Sequence, residues 1–430
     1  DSQELKQFIH KIGPLMIQEL VRNSRSHAFE GYDVNWGEDT NTVTDIHTLC
    51  HAEFAESVIV TNLSWNSTGA VVAASYGRFD HEDWCMHKSG LCTWNLDRRN
   101  LDADKPDSVI DVSSCLMCIA YHPQKPAWIA GGTFNGEVIV WDTSQTEETL
   151  VASSGIGDDS HRDPVAKLTW IPDPESKGKK FHIVSVSSDG RILTWKVHAS
   201  KQKLKLINGF VLLTDSLPRH LRVRSRGNQE MGVTCISFSK EDETKFMIGS
   251  DCGGIFQCST SVRGNPANES NCSVELRSPV TMTFNPHSGP VYGIECSPFH
   301  HQMMLTSASD ASVRLYSLLR AQPLITIDPG AGYVYAAKWS PVRPLLFAVV
   351  TEGGHLYFYD LQQMNAVPIL KLEVAKRPIY SLQFNAKERS LLATGDGAGK
   401  IRVWRLNEEL VKPGAKEMDS LTSLASSALQ

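Results

Sequence analysis

The sequence predicts an all-β fold, a seven-bladed β-propeller that follows a short N-terminal helical arm. Three observations support this prediction: a strand-like unit that recurs seven times, a constant spacing inside most of its copies, and one apolar stripe at helical spacing near the start. Repeated units of about 40–45 residues are typical of propeller blades. A chain of 430 residues suits this fold, which grows by adding blades and not by thickening one core.

The recurring unit is clearest in four segments, which cover residues 233–259, 291–317, 334–360 and 379–405. Each segment has an alternating apolar run, a polar turn, a second apolar run, a Gly/Asp/Ser turn and a third run that ends in an aromatic residue or Cys. The alternation has the period of a half-buried strand. The turns carry residues that tolerate tight geometry. Each unit therefore predicts at least three antiparallel strands.

The spacing inside the unit is constant. The first-strand anchor and the end of the third strand lie 20 residues apart in five units: Tyr121 to Trp141, Phe238 to Cys258, Cys296 to Tyr316, Trp339 to Tyr359 and Phe384 to Trp404. The distance is 25 residues from Trp170 to Trp195 and 29 from Trp65 to Trp94, with the excess in polar turns. These seven units predict seven blades.

The units resemble the WD repeat in a degenerate form. Trp141-Asp142 is a literal WD pair, Tyr359-Asp360 is a near version, and the Gly-His of the family survives loosely in "HSGPV" at 287–291. The turn between the second and third strands keeps its acidic residue at Asp189, Asp251, Asp310 and Asp396. In the family this Asp orients a His and a hydroxyl, so we expect apolar packing to replace that network where the His is missing.

Closure of the ring requires a partner for the last strand, because an open end leaves an unpaired edge. The residues after Trp404 do not form a convincing fourth strand, whereas 42–49, "TVTDIHTL", alternate. We hypothesise that 42–49 supply the outer strand of the last blade. The predicted organisation is an arm (1–23), a linker (24–41), a ring-closing strand (42–49), the propeller (50–406) and a C-terminal tail (407–430).

The N-terminal arm is predicted to be an amphipathic helix. Its apolar stripe follows helical spacing and consists of Leu5, Phe8, Ile9, Ile12, Met16, Ile17, Leu20 and Val21. Gly13-Pro14 should kink the helix or split it, since Pro removes a helical hydrogen bond. A helix this short needs something to cover its stripe. Folding back on the propeller and binding an external partner are both open, and we favour the partner.

Composition and charge restrict the classes of partner. The formal net charge of -6 argues against general affinity for nucleic acid or anionic membrane. No apolar run is long enough for membrane insertion, and no secretory leader is present at the start. Free cysteines in apolar runs, such as Cys115 and Cys118, favour a reducing intracellular compartment. Because the chain starts at Asp1, we expect further residues before it in the native protein.

The whole chain resembles the dynein intermediate chains. The resemblance rests on the helix, on the linker "SHAFEGYDVNW" (26–36), on the degenerate propeller and on phrases at 122–142 and 181–196. It is strongest to the intermediate chains of cytoplasmic dynein-2, the motor of retrograde intraflagellar transport. The resemblance implies a non-catalytic scaffold in the cytoplasm, the cilium (axoneme and basal body) and the centrosome.

The resemblance also implies particular partners. The arm stripe, Leu5 through Val21, is expected to bind a roadblock-type light-chain dimer, and the propeller is expected to bind the tail of the dynein heavy chain. Other dynein light chains are expected to bind upstream residues, and a second intermediate chain is expected in the same complex. The alternative is a generic WD-repeat adaptor, for instance a substrate receptor of a ubiquitin ligase.

One face of the propeller is elaborated by long loops around 76–89, 152–163 and 214–230. We expect it to dock the heavy chain, because aromatic and Arg residues are enriched at interfaces. The candidate residues are Phe79, Trp84, Arg219, Arg222 and Arg224. A solvated loop is the commoner interpretation of the arginine cluster, with an acidic protein surface as the alternative, and burial on a neighbouring blade would explain Trp84 equally well.

The sequence predicts no metal, no cofactor and no enzyme activity. The first-blade insertion holds several residues of metal-binding type: Asp80, His81, Glu82, Asp83, Cys85, His87 and Cys92. Without paired Cys-x-x-Cys spacing, a His-rich surface loop is the commoner interpretation. Cys115 and Cys118 form such a pair, but on a strand their side chains face opposite ways. No nucleophile elbow, phosphate loop or HExxH is present; a hydrolytic propeller would require a ligand or metal in its central channel.

Overall fold

The computed structural model describes residues 2–24, 42–54, 57–81, 84–176, 178–217, 229–262, 271–363 and 366–426. The chain divides into two compact units, residues 1–41 and residues 42–430. The described part of the first unit is one helix, α1 (Ser2–Ser24). Pro14 lies inside α1, which continues through it as one helix, so of the two predicted alternatives at Gly13-Pro14, a kink or a split, the split does not occur. Proline removes only the hydrogen bond to one carbonyl, and the turns on both sides keep theirs.

The second unit begins with strand β1 (Val43–Leu49), and its other strands follow in seven groups. The groups are β2 (Ile59–Trp65), β3 (Val71–Gly77), β4 (Ser89–Asn95) and β5 (Ser108–Val112); β6 (Leu116–Tyr121), β7 (Trp128–Thr133), β8 (Val138–Asp142) and β9 (Leu150–Ser153); β10 (Val165–Pro172), β11 (Phe181–Ser187), β12 (Arg191–His198) and β13 (Lys203–Val211); β14 (Val233–Phe238), β15 (Lys245–Ser250), β16 (Ile255–Ser259) and β17 (Val280–Phe284); β18 (Val291–Cys296), β19 (Met303–Ala308), β20 (Val313–Ser317) and β21 (Ile325–Ile327); β22 (Val334–Trp339), β23 (Leu346–Thr351), β24 (His355–Asp360) and β25 (Leu370–Glu373); and β26 (Ile379–Phe384), β27 (Leu391–Asp396) and β28 (Ile401–Leu406).

Each group forms an antiparallel sheet in chain order, and one parallel contact between Ser153 and Lys203 joins the second sheet to the third. The first strands of consecutive groups contact one another around a ring, and the first strand of the last group, β26, contacts β2. Sheets arranged radially about their first strands form a β-propeller. The predicted seven-bladed propeller is therefore confirmed.

The last blade is completed by the beginning of this unit. β1 pairs antiparallel with β28, with Val43 opposite Leu406 and Leu49 opposite Ile401. Leu49 is fully buried in a cluster with β27 and β28. Residues 43–49 thus cover the edge that β28 would otherwise expose, so the fourth strand of blade seven comes from a distant part of the sequence.

Burial explains why these segments are strands. The first strands alternate between buried and half-buried residues, as in β22 and β26, because one face lines the centre of the ring. The second strands are buried at every position, as in β19 and β23, or at every position after the first, because neighbouring blades pack on both faces. The continuous apolar runs therefore mark the middle of each blade.

The polar network of the WD repeat is present in full in blade three. His161 Nδ1 lies 3.4 Å from Asp189 Oδ1, and its Nε2 lies 2.7 Å from Ser185 Oγ, which also accepts a hydrogen bond from Trp195 Nε1. Burial raises the pKa of Asp189, but the hydrogen bond and charge of His161 outweigh it, and the pKa falls to about 2. The sequence interpretation missed His161, which precedes "RDP" and not the expected Gly or Ser.

Blade five keeps a similar network, whereas blade six replaces it by apolar packing. His287 Nδ1 lies 2.9 Å from Asp310 Oδ2, and its Nε2 lies 2.8 Å from Thr306 Oγ1. In blade six, Tyr359 takes the position of the Trp and stacks on Phe347 with ring centroids 5.3 Å apart. The degenerate repeat thus keeps the hydrogen bonds between the His, the Asp and a hydroxyl in blades three and five, where a His precedes the first strand.

The segment expected as a C-terminal tail folds into two helices, α2 (Glu408–Val411) and α3 (Glu417–Ser426). Leu421, Leu424 and Ala425 share one helical face and are buried against blades five and six. The guanidinium of Arg343, which lies between β22 and β23, donates to Glu417 Oε1 at 2.5 and 2.8 Å and to Asp360 Oδ2 at 2.7 Å. The apolar residues of α3 follow an i, i+3, i+4 pattern, which the search for strand spacing does not detect.

Candidate functional site

The stripe of α1 presents a broad apolar surface. Most of the predicted binding residues are between 44% and 63% exposed: Leu5, Phe8, Ile9, Met16, Ile17, Leu20 and Val21. Ile12 is half-buried, and Leu15, which was not predicted, is 59% exposed at the edge of the stripe. Scattered exposed apolar residues are normal, but a contiguous patch of this kind marks an interaction surface.

Charged residues at both ends of α1 support the helix. Glu4 lies in the first turn and Arg22 in the last, so both complement the helix dipole. Arg22 Nη1 also lies 3.7 Å from Glu19 Oε1, one turn away. A helix of 23 residues is about 34 Å long.

The long loop between β3 and β4 holds two of the predicted docking residues. Phe79 is 48% exposed and contacts Tyr380, with ring centroids 5.2 Å apart in an edge-to-face arrangement. Trp84 is 61% exposed, so its proposed burial on a neighbouring blade is wrong. The other three predicted residues, Arg219, Arg222 and Arg224, lie outside the described residues.

Three tyrosines extend the surface that Phe79 begins. Tyr292, Tyr335 and Tyr380 are the second residues of β18, β22 and β26. The ring of Tyr335 lies 5.1 Å from that of Tyr292 and 4.7 Å from that of Tyr380. Together with Phe79 they form an arc that we call the aromatic mouth. The sequence interpretation missed it, although "VY", "VY" and "IY" recur at one register of three units.

The aromatic mouth opens on a cavity of about 460 Å³ at the centre of the ring. Burial, with Lys338 nearby, lowers the pKa of Lys167 in its wall to about 8. Burial also raises the pKa of Cys235 to about 12, so this thiol is a poor nucleophile. Lys338 Nζ lies 3.3 Å from Glu295 Oε1, whose carboxylate also accepts the backbone N–H of Trp339. These groups hold neighbouring first strands together.

A group of metal-type side chains comes together beside the first-blade loop. It contains His81, Cys85, His87 and Cys115, and their ligand atoms all lie within 4.8 Å of one another. Of the residues that the sequence singled out, Cys92 does not belong to the group, and Glu82 and Asp83 lie outside the described residues. Cys115 joins it from the start of blade two.

Two family models match the chain. One describes the WD40 domain of dynein axonemal intermediate chain 3 and matches residues 79–189. The other describes the WD domain, G-beta repeat, and matches residues 278–317. No helix among the described ranges is both long and apolar enough to cross a bilayer.

Similar proteins extend over nearly the whole chain. The cytoplasmic dynein 2 intermediate chain 2 of Mus musculus is 41% identical over 429 residues, which span 99% of this chain and 80% of the mouse protein. The protein of the same name in Homo sapiens is 40% identical over 430 residues, with the same coverage. The cytoplasmic dynein 1 intermediate chain of Drosophila melanogaster is 24% identical over 97% of this chain and 59% of its own length.

Proposed function

The chain belongs to the dynein intermediate chain family, and from this membership we propose that it is a non-catalytic scaffold subunit of a dynein-2 motor in retrograde intraflagellar transport. The observation that carries the proposal is the exposed apolar stripe of α1 in a chain that matches dynein-2 intermediate chains over 99% of its length. An apolar surface with no catalytic chemistry of its own suits a subunit that joins others. The proposed location is the cytoplasm, the cilium with its axoneme and basal body, and the centrosome.

The arm is proposed to bind a roadblock-type light-chain dimer. An amphipathic helix lays its apolar face into a groove and contributes anchors at i, i+3, i+4 and i+7, a pattern that Leu5, Phe8, Ile9 and Ile12 follow. A dimer offers two equivalent grooves, so it would hold the arm of a second intermediate chain beside this one. Other dynein light chains are proposed as further partners.

The propeller is proposed to bind the tail of the dynein heavy chain through the aromatic mouth. Half-exposed tyrosines supply large contact areas with few rotatable bonds, and aromatic residues dominate the energetics of interfaces. Phe79 continues this surface toward the first-blade loop. With two binding sites on one chain, each further contact becomes effectively intramolecular and the assembly is held by avidity.

Phe8→Asp combined with Ile12→Asp should abolish light-chain binding. Removing two buried apolar side chains from an interface costs about 3–6 kcal/mol, which weakens binding by at least about 100-fold. The measurement is a tagged pull-down from ciliated cells, with the heavy chain and the light chain quantified. The matched control, Gln7→Asp with Gln18→Asp, introduces the same charges on the polar side and should keep both partners.

Selective loss of a small light chain with the heavy chain retained supports the two-site scaffold. Equal recovery of the light chain by the stripe and control variants would contradict the role of the arm. If the intact chain recovers neither protein, the motor proposal fails and a WD-repeat adaptor with another partner remains.

Phe79→Ser combined with Tyr380→Ser should weaken heavy-chain recovery at least about 10-fold while light-chain recovery is unchanged, because buried aromatic anchors typically contribute about 1–2 kcal/mol or more each. The measurement is the same pull-down. Leu319→Ser is the control, since Leu319 is a 40% exposed apolar residue in the loop after β20. Undiminished heavy-chain recovery by the double variant would move the docking surface away from the aromatic mouth.

A further inference from the structure

The loop between β3 and β4 leaves blade one and attaches to blade two. Cys85 N–H donates to Asn135 Oδ1 at 3.0 Å, and Asn135 Nδ2 donates back to Cys85 O at 3.0 Å. Asn135 belongs to the turn between β7 and β8, on the neighbouring blade. The ring of His81 packs on Phe134 of the same turn, with centroids 4.2 Å apart. The middle of a long loop is therefore held in one position against a second blade.

Four ligand-type side chains converge at this attachment. Cys85 Sγ lies 3.8 Å from His87 Nδ1, and the rings of His81 and His87 lie 4.8 Å apart. Cys85 and Cys115 are 1% and 0% exposed, so both thiols are shielded from solvent. Neighbouring ligand atoms of a tetrahedral Zn²⁺ site with two thiolates and two imidazoles are separated by about 3.3–3.8 Å. A contraction of about 1 Å from the 4.8 Å limit gives that geometry.

Two polar atoms in the group are placed as a metal site requires. The backbone N–H of Cys115 donates to Cys85 Sγ at 3.2 Å, the kind of hydrogen bond that supports a ligating thiolate from its outer shell. His81 Nε2 is buried and has no hydrogen-bond partner among the described residues. A buried nitrogen without a partner is destabilising, and a metal bond would remove that cost.

We propose that His81, Cys85, His87 and Cys115 bind one structural Zn²⁺ that fastens the loop of blade one to blade two. Two thiolates and two imidazoles suit zinc, and four protein ligands leave no position for water or substrate, so the site is structural and not catalytic. Binding releases the two thiol protons. The ligands come from two blades, so the metal would cross-link them.

The proposed metal also fixes the side chains between its ligands. Trp84 and Met86 alternate with Cys85 and His87 along the chain and point outward, with 61% and 84% of their surfaces exposed. A metal bound by residues on both sides of Trp84 and Met86 would hold these two side chains in one arrangement. The zinc proposal itself stands on the four ligands and does not depend on the identity of the partner.

Metal analysis of the purified full chain tests the proposal. The protein is produced in zinc-supplemented medium with a tag that contains no His, dialysed, and measured by inductively coupled plasma mass spectrometry. The expected result is about one zinc per chain in the wild type and nearly none in Cys115→Ala or His87→Ala. His87 is an exposed side chain, so its variant folds even where a buried substitution does not.

The matched controls are Cys118→Ala and His301→Ala. Cys118 lies three residues from Cys115, but its thiol donates to Val165 O at 3.3 Å in the core between blades, so its loss should leave the zinc content unchanged. His301 is a surface imidazole outside the group. Reconstitution of chelator-treated protein with Co²⁺ should give the visible spectrum of a tetrahedral thiolate site in the wild type and not in His87→Ala.

Three results would overturn the proposal. The first is wild-type protein with no stoichiometric zinc and no Co²⁺ spectrum. The second is a Cys85–Cys115 disulfide, detected by mass spectrometry of alkylated peptides without reduction, which would make the pair redox-active and leave the two imidazoles without a role. The third is stoichiometric copper in place of zinc in cells supplied with both metals.

Discussion

Arg343→Ala should lower the free energy of unfolding of the propeller by about 3–5 kcal/mol, because it leaves a buried carboxylate without its partner. Glu417 is 3% exposed, and Arg343 donates both its Nε–H and an Nη2–H to one Glu417 oxygen. Arg343 Nη1 also donates to Glu409 O at 3.1 Å, so the substitution releases α2 and α3 together. The measurement is urea unfolding followed by tryptophan fluorescence.

A double substitution separates the cost of the unpaired charge from the loss of packing. Arg343→Leu combined with Glu417→Leu removes both charges and should recover most of the loss, since apolar replacements of a buried pair are often neutral. Asp360 keeps a hydrogen bond from the N–H of Gln362 at 2.8 Å in that variant. A wild-type urea midpoint for Arg343→Ala would show that the buried ion pair contributes nothing to the stability of the propeller.

Leu49→Asp should destabilise the propeller by at least about 4 kcal/mol and increase its aggregation. The substitution loses the packing of a fully buried side chain, worth about 2–5 kcal/mol, and places an unpaired charge in the same apolar cluster. It also weakens the pairing of β1 with β28, whose edge then exposes unpaired backbone groups. Thermal unfolding and light scattering measure the two effects.

The control for this substitution lies one residue earlier. Thr48 is exposed on the same strand, and Thr48→Asp should change the stability by no more than about 0.5 kcal/mol. If Leu49→Asp unfolds at the wild-type temperature, β1 is dispensable and the ring is held closed by the contacts between β26 and β2. Equal destabilisation by both variants would indicate an effect of charge and not of strand pairing.

The blades could be predicted from the sequence because each is a local unit. The interval from Phe384 to Trp404 repeats in four other units, and alternation alone indicates strands. The helices after Leu406 were not predicted, because their apolar residues are few and become buried only against strands of blades five and six. His161 was missed because its neighbours differ from the usual motif, although its geometry with Asp189 is that of the WD repeat.

The candidate sites also differ in how far each could be predicted from the sequence. The stripe of α1 could be predicted because its apolar residues recur at helical spacing within one helix of 23 residues. The aromatic mouth could not be predicted, because Tyr292, Tyr335 and Tyr380 come together only when the blades close into a ring. Cys115 stands 30 residues after Cys85, and no spacing rule within one loop would connect the two. Proximity across blades is a property of the topology and not of any local motif.

The pairing of β1 with β28 has a consequence for the synthesis of the protein. The ribosome makes Leu49 long before its partner Ile401. At about 5–20 residues per second, the roughly 350 intervening residues take about 20–70 s to translate. During that interval β1 has no strand to pair with, and a nascent chain stopped at any blade keeps two open edges. Completion of the propeller is therefore tied to completion of its polypeptide.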